Sequence, residues 1–528
     1  MNLMSRLTLG LAAAALLLAA ACTDPTVAPK SSVTGANFFN DPNSYQVFLA
    51  KIYAGLALSG QQGPSGSPDI SGIDEGFSQY LRLYWETEEL PTDEAIIGWN
   101  DIGLPEMNTM TWTSSSAMVV AMYYRIFFQV GMANEFLRQS TAAKLASRGQ
   151  DNPTLVAQVQ QYRAEARFLR ALSYWHGLDL FGDIPLVTEN DPIGATPPKQ
   201  STRAAIYAYV VSELNAIRDS LPASGAATYG RATKPAADML LAELYLNDSA
   251  YTGATNWTGA MSSIQNVLSA GYQLDTSYRH LFQADNNTSP EIIFAIPFDG
   301  VRTETWGGTT FLVHASCGGN MNKSSYGIDG CWWGLRLKPQ AYAFYAAGDK
   351  RAGFFWGPTQ DTAQHVAVTN IGNFFDGVAA PKFTNKKQDG SSGSNPTFPD
   401  TDFPVFRLGE AYLIYAEAFL RGGGGTQAQA VTYFNALRER AYGNTTADIT
   451  GTQLTLDTLL AERGRELLWE AHRRTDLVRF GEFTGNKYVW AWKGNVLAGQ
   501  ATDAHFNLYP LPASELIANP NLKQNPGY

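Results

Sequence analysis

Trp99-Asn100-Asp101 and Cys331-Trp332-Trp333-Gly334 set broad aromatic planes beside amides, acids and glycines in loop-like stretches. Trp306-Gly-Gly and Tyr326-Gly add to the second cluster. An indole next to glycine can expose its face, because no neighbouring side chain covers it. Sugars present flat C–H faces ringed by hydroxyls. Exposed rings edged by amide, carboxylate or arginine groups therefore carry the chemistry of carbohydrate binding. Burial is the competing explanation for any single tryptophan, since that residue is highly buried on average. For Trp99, followed directly by Asn100, the site reading is the better one.

Catalytic chemistry has a thinner basis. Carboxylates crowd at Glu86, Glu88, Glu89, Asp93 and Glu94. Two of them at the right separation could serve as the acid and nucleophile of a glycoside hydrolase, which is kept as an alternative. Such runs more commonly form a solvated face or a helix N-terminus. No His-Glu-x-x-His, Gly-x-Ser-x-Gly or Gly-x-x-x-x-Gly-Lys-Ser/Thr pattern occurs, and the six histidines are scattered. No catalytic residue, metal ligand or cofactor is assigned. Apart from the isolated His314, Cys317 and Cys331 have no close Cys or His at zinc spacing; they either close a small disulfide loop or remain two buried thiols.

A net charge of -10 among 528 residues argues against a nucleic-acid partner, which calls for a basic patch. Residues 1–21 have a basic start, an apolar Leu/Ala run too short to span a bilayer, and small residues before Cys22. That pattern is a secretory signal. With its cysteine it resembles a bacterial lipoprotein signal, in which Cys22 becomes the lipidated first residue. An ordinary signal with an incidental cysteine is the other reading. Residues 22–40 then read as a flexible tether and 41–528 as a single domain.

The elements that must position the aromatic clusters are mainly helical. Thr154–Phe181 repeats apolar residues at helical spacing through Ala164, Phe168, Ala171, Leu172, Trp175 and Leu178, until Gly182-Asp-Ile-Pro stops it. Ala237, Ala242, Glu243, Tyr245 and Leu246 match Ala411, Ala416, Glu417, Phe419 and Leu420 in register. Each set is followed by a second helix, carrying Ala260/Ile264 and Ala430/Phe434. Small residues at helix crossings describe tetratricopeptide-like helix-turn-helix pairs. Between Ser289 and Pro404 periodicity is lost and short strands such as Glu291–Ile296 are expected. The binding insertions are expected near 70–115 and 290–400.

Four stretches in order resemble the SusD/RagB family of nutrient-binding outer-membrane lipoproteins. They are Arg163-Ala-Glu-Ala-Arg-Phe-Leu-Arg-Ala171 running into Leu180-Phe-Gly-Asp-Ile-Pro-Leu-Val-Thr-Glu189, Phe403 to Ala418, Glu462 to Arg479, and the ending Asn519 to Tyr528. Their charged residues are expected to be scaffold: exposed helix-face pairs for Arg163, Glu165, Arg167 and Arg170, and a charged network for Glu462 to Asp476. Thr92-Asp-Glu-Ala, Trp99-Asn100 and Trp112-Thr-Ser-Ser115 are similar to the starch-binding members. That resemblance implies stacking of Trp99 on a malto-oligosaccharide, hydrogen bonds from Asn100, and Arg82 as a further donor. Trp306, Tyr326, Trp332 and Trp333 join by composition and order, as a second aromatic wall. It further implies non-catalytic capture at the cell surface and delivery to a TonB-dependent transporter of the SusC kind. A lid for a peptide transporter, binding no glycan, is the remaining alternative.

Overall fold

A computed structural model describes residues 37–194 and 196–528. The signal, Cys22 and the tether up to residue 36 lie outside the described residues. The longer helices are α1 (Ser44–Ala57), α2 (Tyr80–Glu89), α3 (Ala117–Gln139), α4 (Pro153–Leu180), α5 (Arg203–Ile217), α6 (Lys234–Leu246), α7 (Trp257–Leu268), α8 (Gly308–Ala315), α9 (Leu408–Leu420), α10 (Gln427–Tyr442), α11 (Leu456–Glu466) and α12 (Arg473–Arg479). Strands are short and paired: β1 (Ile96–Ile97), β2 (Ile184–Pro185), β3 (Gln200–Ser201), β4 (Ile292–Ile296), β5 (Leu335–Arg336) and β6 (Phe403–Arg407). They form three antiparallel pairs, β1–β5, β2–β3 and β4–β6.

Local sequence accounts for the helix ends. The Asn152 side chain accepts from the Leu155 N–H at 3.0 Å and Pro153 occupies the first turn, so α4 begins with its orphan donors reduced. Its six apolar positions named above are all buried. Thr233, Thr426 and Thr455 cap α6, α10 and α11 in the same manner. α4 lies between α3 and α5, and it is the long central member of the scaffold.

The two helix pairs read from sequence, α6–α7 and α9–α10, are both present. Ala237, Ala242, Ala260, Ile264, Ala411, Ala416, Ala430 and Phe434 are fully buried at their crossings. α9 packs on α7 and α6, so copies separated by the whole irregular segment are neighbours in space. The fold is mainly α, with tetratricopeptide-like pairs as scaffold and a loop-rich part with short strands.

Two expectations about charge need correction. Arg167 and Arg170 do not pair along α4. They reach Glu213 on α5 at 2.7 and 2.8 Å, while Glu165 holds Tyr53 and Arg231. These pairs bridge elements and are partly or fully buried, unlike exposed pairs worth a few tenths of a kcal/mol. The acidic run is likewise no solvated face: Glu86, Glu88, Glu89, Asp93 and Glu94 are all buried. Asp93 binds Arg473 at 2.7 Å, Glu88 binds Arg474 at 3.2 Å, and Glu89 accepts from the Ala471 N–H at 2.7 Å. The run thus ties the end of α2 to the start of α12.

The network expected around Glu462 to Asp476 is the centre of the buried ionic system. Arg407 contacts Glu291, Glu466 and Glu470 at 2.6–2.9 Å, and Arg351 contacts Asp349, Glu462 and Glu466 at 2.7–2.9 Å. Buried charges require this degree of pairing, because desolvating an unpaired ion costs several kcal/mol.

Candidate functional site

Antiparallel register brings the two aromatic clusters together. Ile96 pairs with Arg336 and Ile97 with Leu335, so the chain leaving β1 runs beside the chain entering β5. The Gly98 N–H donates to the Gly334 carbonyl at 3.0 Å. One residue further, the Trp99 indole N–H donates to the Trp333 carbonyl at 2.6 Å. Gly334 has a φ of 111°, and a Cβ there would sit 2.5 Å from Trp99 Nε1. Glycine at 334 therefore permits both the turn and the close approach of the ring.

Trp99, Trp332 and Trp306 form a continuous arc. The Trp99 and Trp332 ring centroids are 6.3 Å apart with planes tilted by 50°. Trp332 and Trp306 are 5.9 Å apart and tilted by 60°. All three rings are partly exposed. Phe311 of α8 packs edge-on behind Trp99 at 5.7 Å, and Phe398 packs on Trp306 at 5.1 Å. Trp306 also donates its indole N–H to Ser65 Oγ at 3.2 Å. Successive planes are tilted against one another, so the three rings do not present one flat apolar face.

Polar groups edge this strip. Arg82, from the first turn of α2, has its guanidinium 4.4 Å from the Phe311 centroid and 5.7 Å from that of Trp99. Glu86 accepts from Arg82 Nε at 2.8 Å, which aims the fork. Burial raises the Glu86 carboxyl above its usual range, with Arg82 pulling it back. Asn100 is exposed. A cleft of about 770 Å³ is walled by Asp74, Arg82, Trp99, Asn100, Asp101 and Ser115, among others. A second cleft of about 310 Å³ shares Trp99 and Asn100 and continues past Glu106 and Asn495. Both volumes fall near the range of small-ligand sites.

Of the residues expected at a site, Arg82, Trp99, Asn100, Trp306 and Trp332 converge. Trp333 and Tyr326 do not. The Trp333 backbone has φ 54°, and its ring turns away to pack edge-on against Phe374 and Phe375 at 5.8 and 4.5 Å. Tyr326 is buried and makes no ring contact with the three indoles among the described residues. Asp74, Ser65 and Phe398 were not anticipated, whereas Asp101 belongs to the Trp99-Asn100-Asp101 cluster read from the sequence. Asp74 sits in a Gly72-Ile-Asp-Glu-Gly76 turn, where its carboxylate accepts from the Gly76 N–H at 2.7 Å. That turn pattern was its available signal.

Cys317 and Cys331 form a disulfide, with Cα atoms 4.9 Å apart. This resolves the choice between a bridge and two free thiols. Next to it His314 of α8 stacks beneath Trp332, centroids 4.6 Å apart and planes 22° from parallel. The His314 ring nitrogens face the carbonyls of Gly330 at 2.6 Å and Thr397 at 3.0 Å. Burial lowers its pKa, opposed by those two carbonyls.

The arrangement can stack and hydrogen-bond a polyhydroxylated ligand. It offers no catalytic carboxylate pair from the acidic run, because those five groups are sealed inside and committed to α12 and Arg82. Among the described residues no cluster of three metal-ligating side chains occurs.

Known proteins share this plan. Residues 364–528 match the family described as the SusD family, and residues 85–246 match one described as "Starch-binding associating with outer membrane". The chain is 35% identical to the starch-binding protein SusD of Bacteroides thetaiotaomicron, covering 96% of this chain and 95% of that protein. It is 23% identical to a SusD-like protein of Bacteroides ovatus, over 97% and 91% of the two chains. Among solved structures, a SusD superfamily protein from B. thetaiotaomicron superposes with a TM-score of 0.70 at 20% identity, covering 92% of this chain and 99% of that one. Surface glycan-binding protein A from the same organism, in complex with laminarihexaose, superposes with a TM-score of 0.69 at 20% identity, covering 91% and 98%. With an identity of 35% sustained along almost the entire length, this chain belongs to the SusD family.

Proposed function

We propose that this protein captures a curved glucan, of the starch or malto-oligosaccharide class, without cleaving it. The observation that carries the reading is the Trp99–Trp332–Trp306 arc. Successive rings tilted by 50° and 60° match a chain whose sugar faces rotate along its length. An extended, flat glucan would meet one ring and miss the next. Trp99 and Trp332 supply the stacking faces, Trp306 extends them, and Arg82 and Asn100 bind hydroxyls at their edges. The starch-binding name of the 35% identical relative supports the linkage class.

Two or three stacked rings and a few hydroxyl contacts yield roughly 4–7 kcal/mol, or millimolar to about ten-micromolar affinity. Such weak binding suits a carrier that must release its cargo. The further steps of the proposal are anchoring through lipidated Cys22 at the outer membrane, display at the cell surface and transfer to a SusC-like TonB-dependent transporter. High local concentration beside that transporter compensates for weak capture. The testing experiment is calorimetric titration with maltoheptaose, laminarihexaose and cellohexaose. Binding of maltoheptaose with cellohexaose silent supports the reading; preference for cellohexaose overturns it.

A further inference from the structure

The segment 317–334 contains Gly318, Gly319, Gly327, Gly330 and Gly334, and it carries Trp332 at its end. Glycine-rich chain is costly to order, yet an aromatic platform must be ordered before ligand arrives. The stitching of this segment is unusually dense. The Trp332 N–H donates to the His314 carbonyl and the Trp333 N–H to the Cys317 carbonyl, both at 2.9 Å. The Cys317–Cys331 bond joins the end of α8 to the residue immediately before Trp332. The His314 ring lies under the Trp332 ring, and its nitrogens face the Gly330 and Thr397 carbonyls, one of which accepts from the single N–H of the neutral imidazole.

We infer that the Cys317–Cys331 disulfide and His314 are positioning residues of the glycan site, which hold the Trp332 plane at its angle between Trp99 and Trp306. The inference rests on the glycan reading above. None of the three residues needs to touch the sugar. Cys317 and His314 are fully buried, and α8, to which they attach the ring, also supplies Phe311 behind Trp99 and Arg82. One short helix thereby references two indoles and the guanidinium to a common frame. Cutting the cross-link leaves the scaffold helices intact, because the bridge spans only this segment and not α4, α6–α7 or α9–α10.

The test is a double-mutant cycle read by maltoheptaose affinity, using ligand-observed NMR to reach millimolar values. Its corners are the wild type, Cys317→Ser/Cys331→Ser, Trp332→Ala, and all three substitutions together. The disulfide variant is expected to lose about fivefold or more in affinity with unchanged far-UV circular dichroism. In the Trp332→Ala background its removal should change affinity by less than about twofold, because the bridge acts through that ring. His314→Phe, which keeps a ring but not the N–H to carbonyl bond, should behave as the disulfide variant does. Reduced wild type, checked for helix content and then reoxidised, must lose and regain affinity, which keeps the test valid if the serine variant misfolds. Affinity within twofold of wild type after reduction, or an equal loss in both backgrounds, overturns the inference. A wild type that binds none of the glucans overturns the glycan reading itself, and this inference with it.

Discussion

Trp332 and Trp333 are adjacent in sequence and placed in different surroundings. The left-handed φ of 54° at Trp333 sends its ring into the Phe374–Phe375 contact, while the ring of Trp332 joins the arc. Nothing in a stretch without periodicity signals which of two neighbouring indoles faces outward, so sequence reasoning grouped them. Tyr326 lies in the same aperiodic stretch and is buried apart from the three indoles. Trp99 and Asn100 line the larger cleft, and an indole followed by an amide in a loop is the sequence signal for that placement. Substituting Trp99 by Ala should weaken maltoheptaose binding about tenfold, by removing one stacking face and one ring-to-backbone hydrogen bond. Trp333→Ala should leave affinity within about threefold and instead lower thermal stability, since its ring packs internally. Gly334→Ala tests the geometry from the backbone side. Its φ of 111° and the 2.5 Å clash with Trp99 predict a loss of roughly 1–3 kcal/mol in stability, accompanied by weaker binding.

A two-residue strand pair and the buried scaffold helices do the organising at the scale of elements. β1–β5 is two residues long on each side, yet its register alone sets Trp99 against the 331–334 turn. Such a short pair, with a long chain between its strands, leaves almost no trace in sequence. α4 and the α6–α7 and α9–α10 pairs were legible, because helical spacing and repeated small residues are local signals. The acidic run from the end of α2 to Glu94 was misread because its partners, Arg473 and Arg474, are remote in the chain. That ionic system sets the pH response. Burial opposes ionisation of Glu462, but Arg351, Arg465 and Arg438 outweigh it and hold the group at about 2. A carboxylate depressed in this way stabilises the fold above the ordinary value of 4.5, and the contribution is lost as pH falls toward 2. Glu94 has the opposite sign: burial pushes it up to about 8 despite Arg473, so its contribution is full below 4.5 and lost as pH rises through 8. On these two groups the melting temperature should therefore peak near pH 5 and fall toward both pH 2 and pH 8. A curve still rising at pH 9, or flat down to pH 3, contradicts this. Glu466→Gln, which strips charge from a group facing Arg351, Arg407 and Arg440, should cost about 3–5 kcal/mol without altering the arc.

For the whole molecule, the proposed division of labour is between a helical scaffold held by buried ion pairs and a loop-built aromatic strip offered to the glycan. Two regions far apart in sequence, near 70–115 and 290–400, make one site because β1 pairs with β5 and Arg82 of α2 packs against Phe311 of α8. The proposed anchor is separable from that site. Cys22→Ala should abolish lipid labelling and shift the protein out of the membrane fraction while leaving glucan affinity of the purified chain unchanged. The central claim is that three tilted indoles hold a curved glucan without cutting it, and one titration addresses it directly. Purified mature chain is titrated calorimetrically with maltoheptaose, and the recovered sugar is analysed for chain length. The account predicts saturable binding between millimolar and about ten micromolar, abolished in a Trp99→Ala/Trp332→Ala variant, with the heptasaccharide recovered intact. Undiminished binding by that variant, or shorter sugars in the recovered pool, would contradict it.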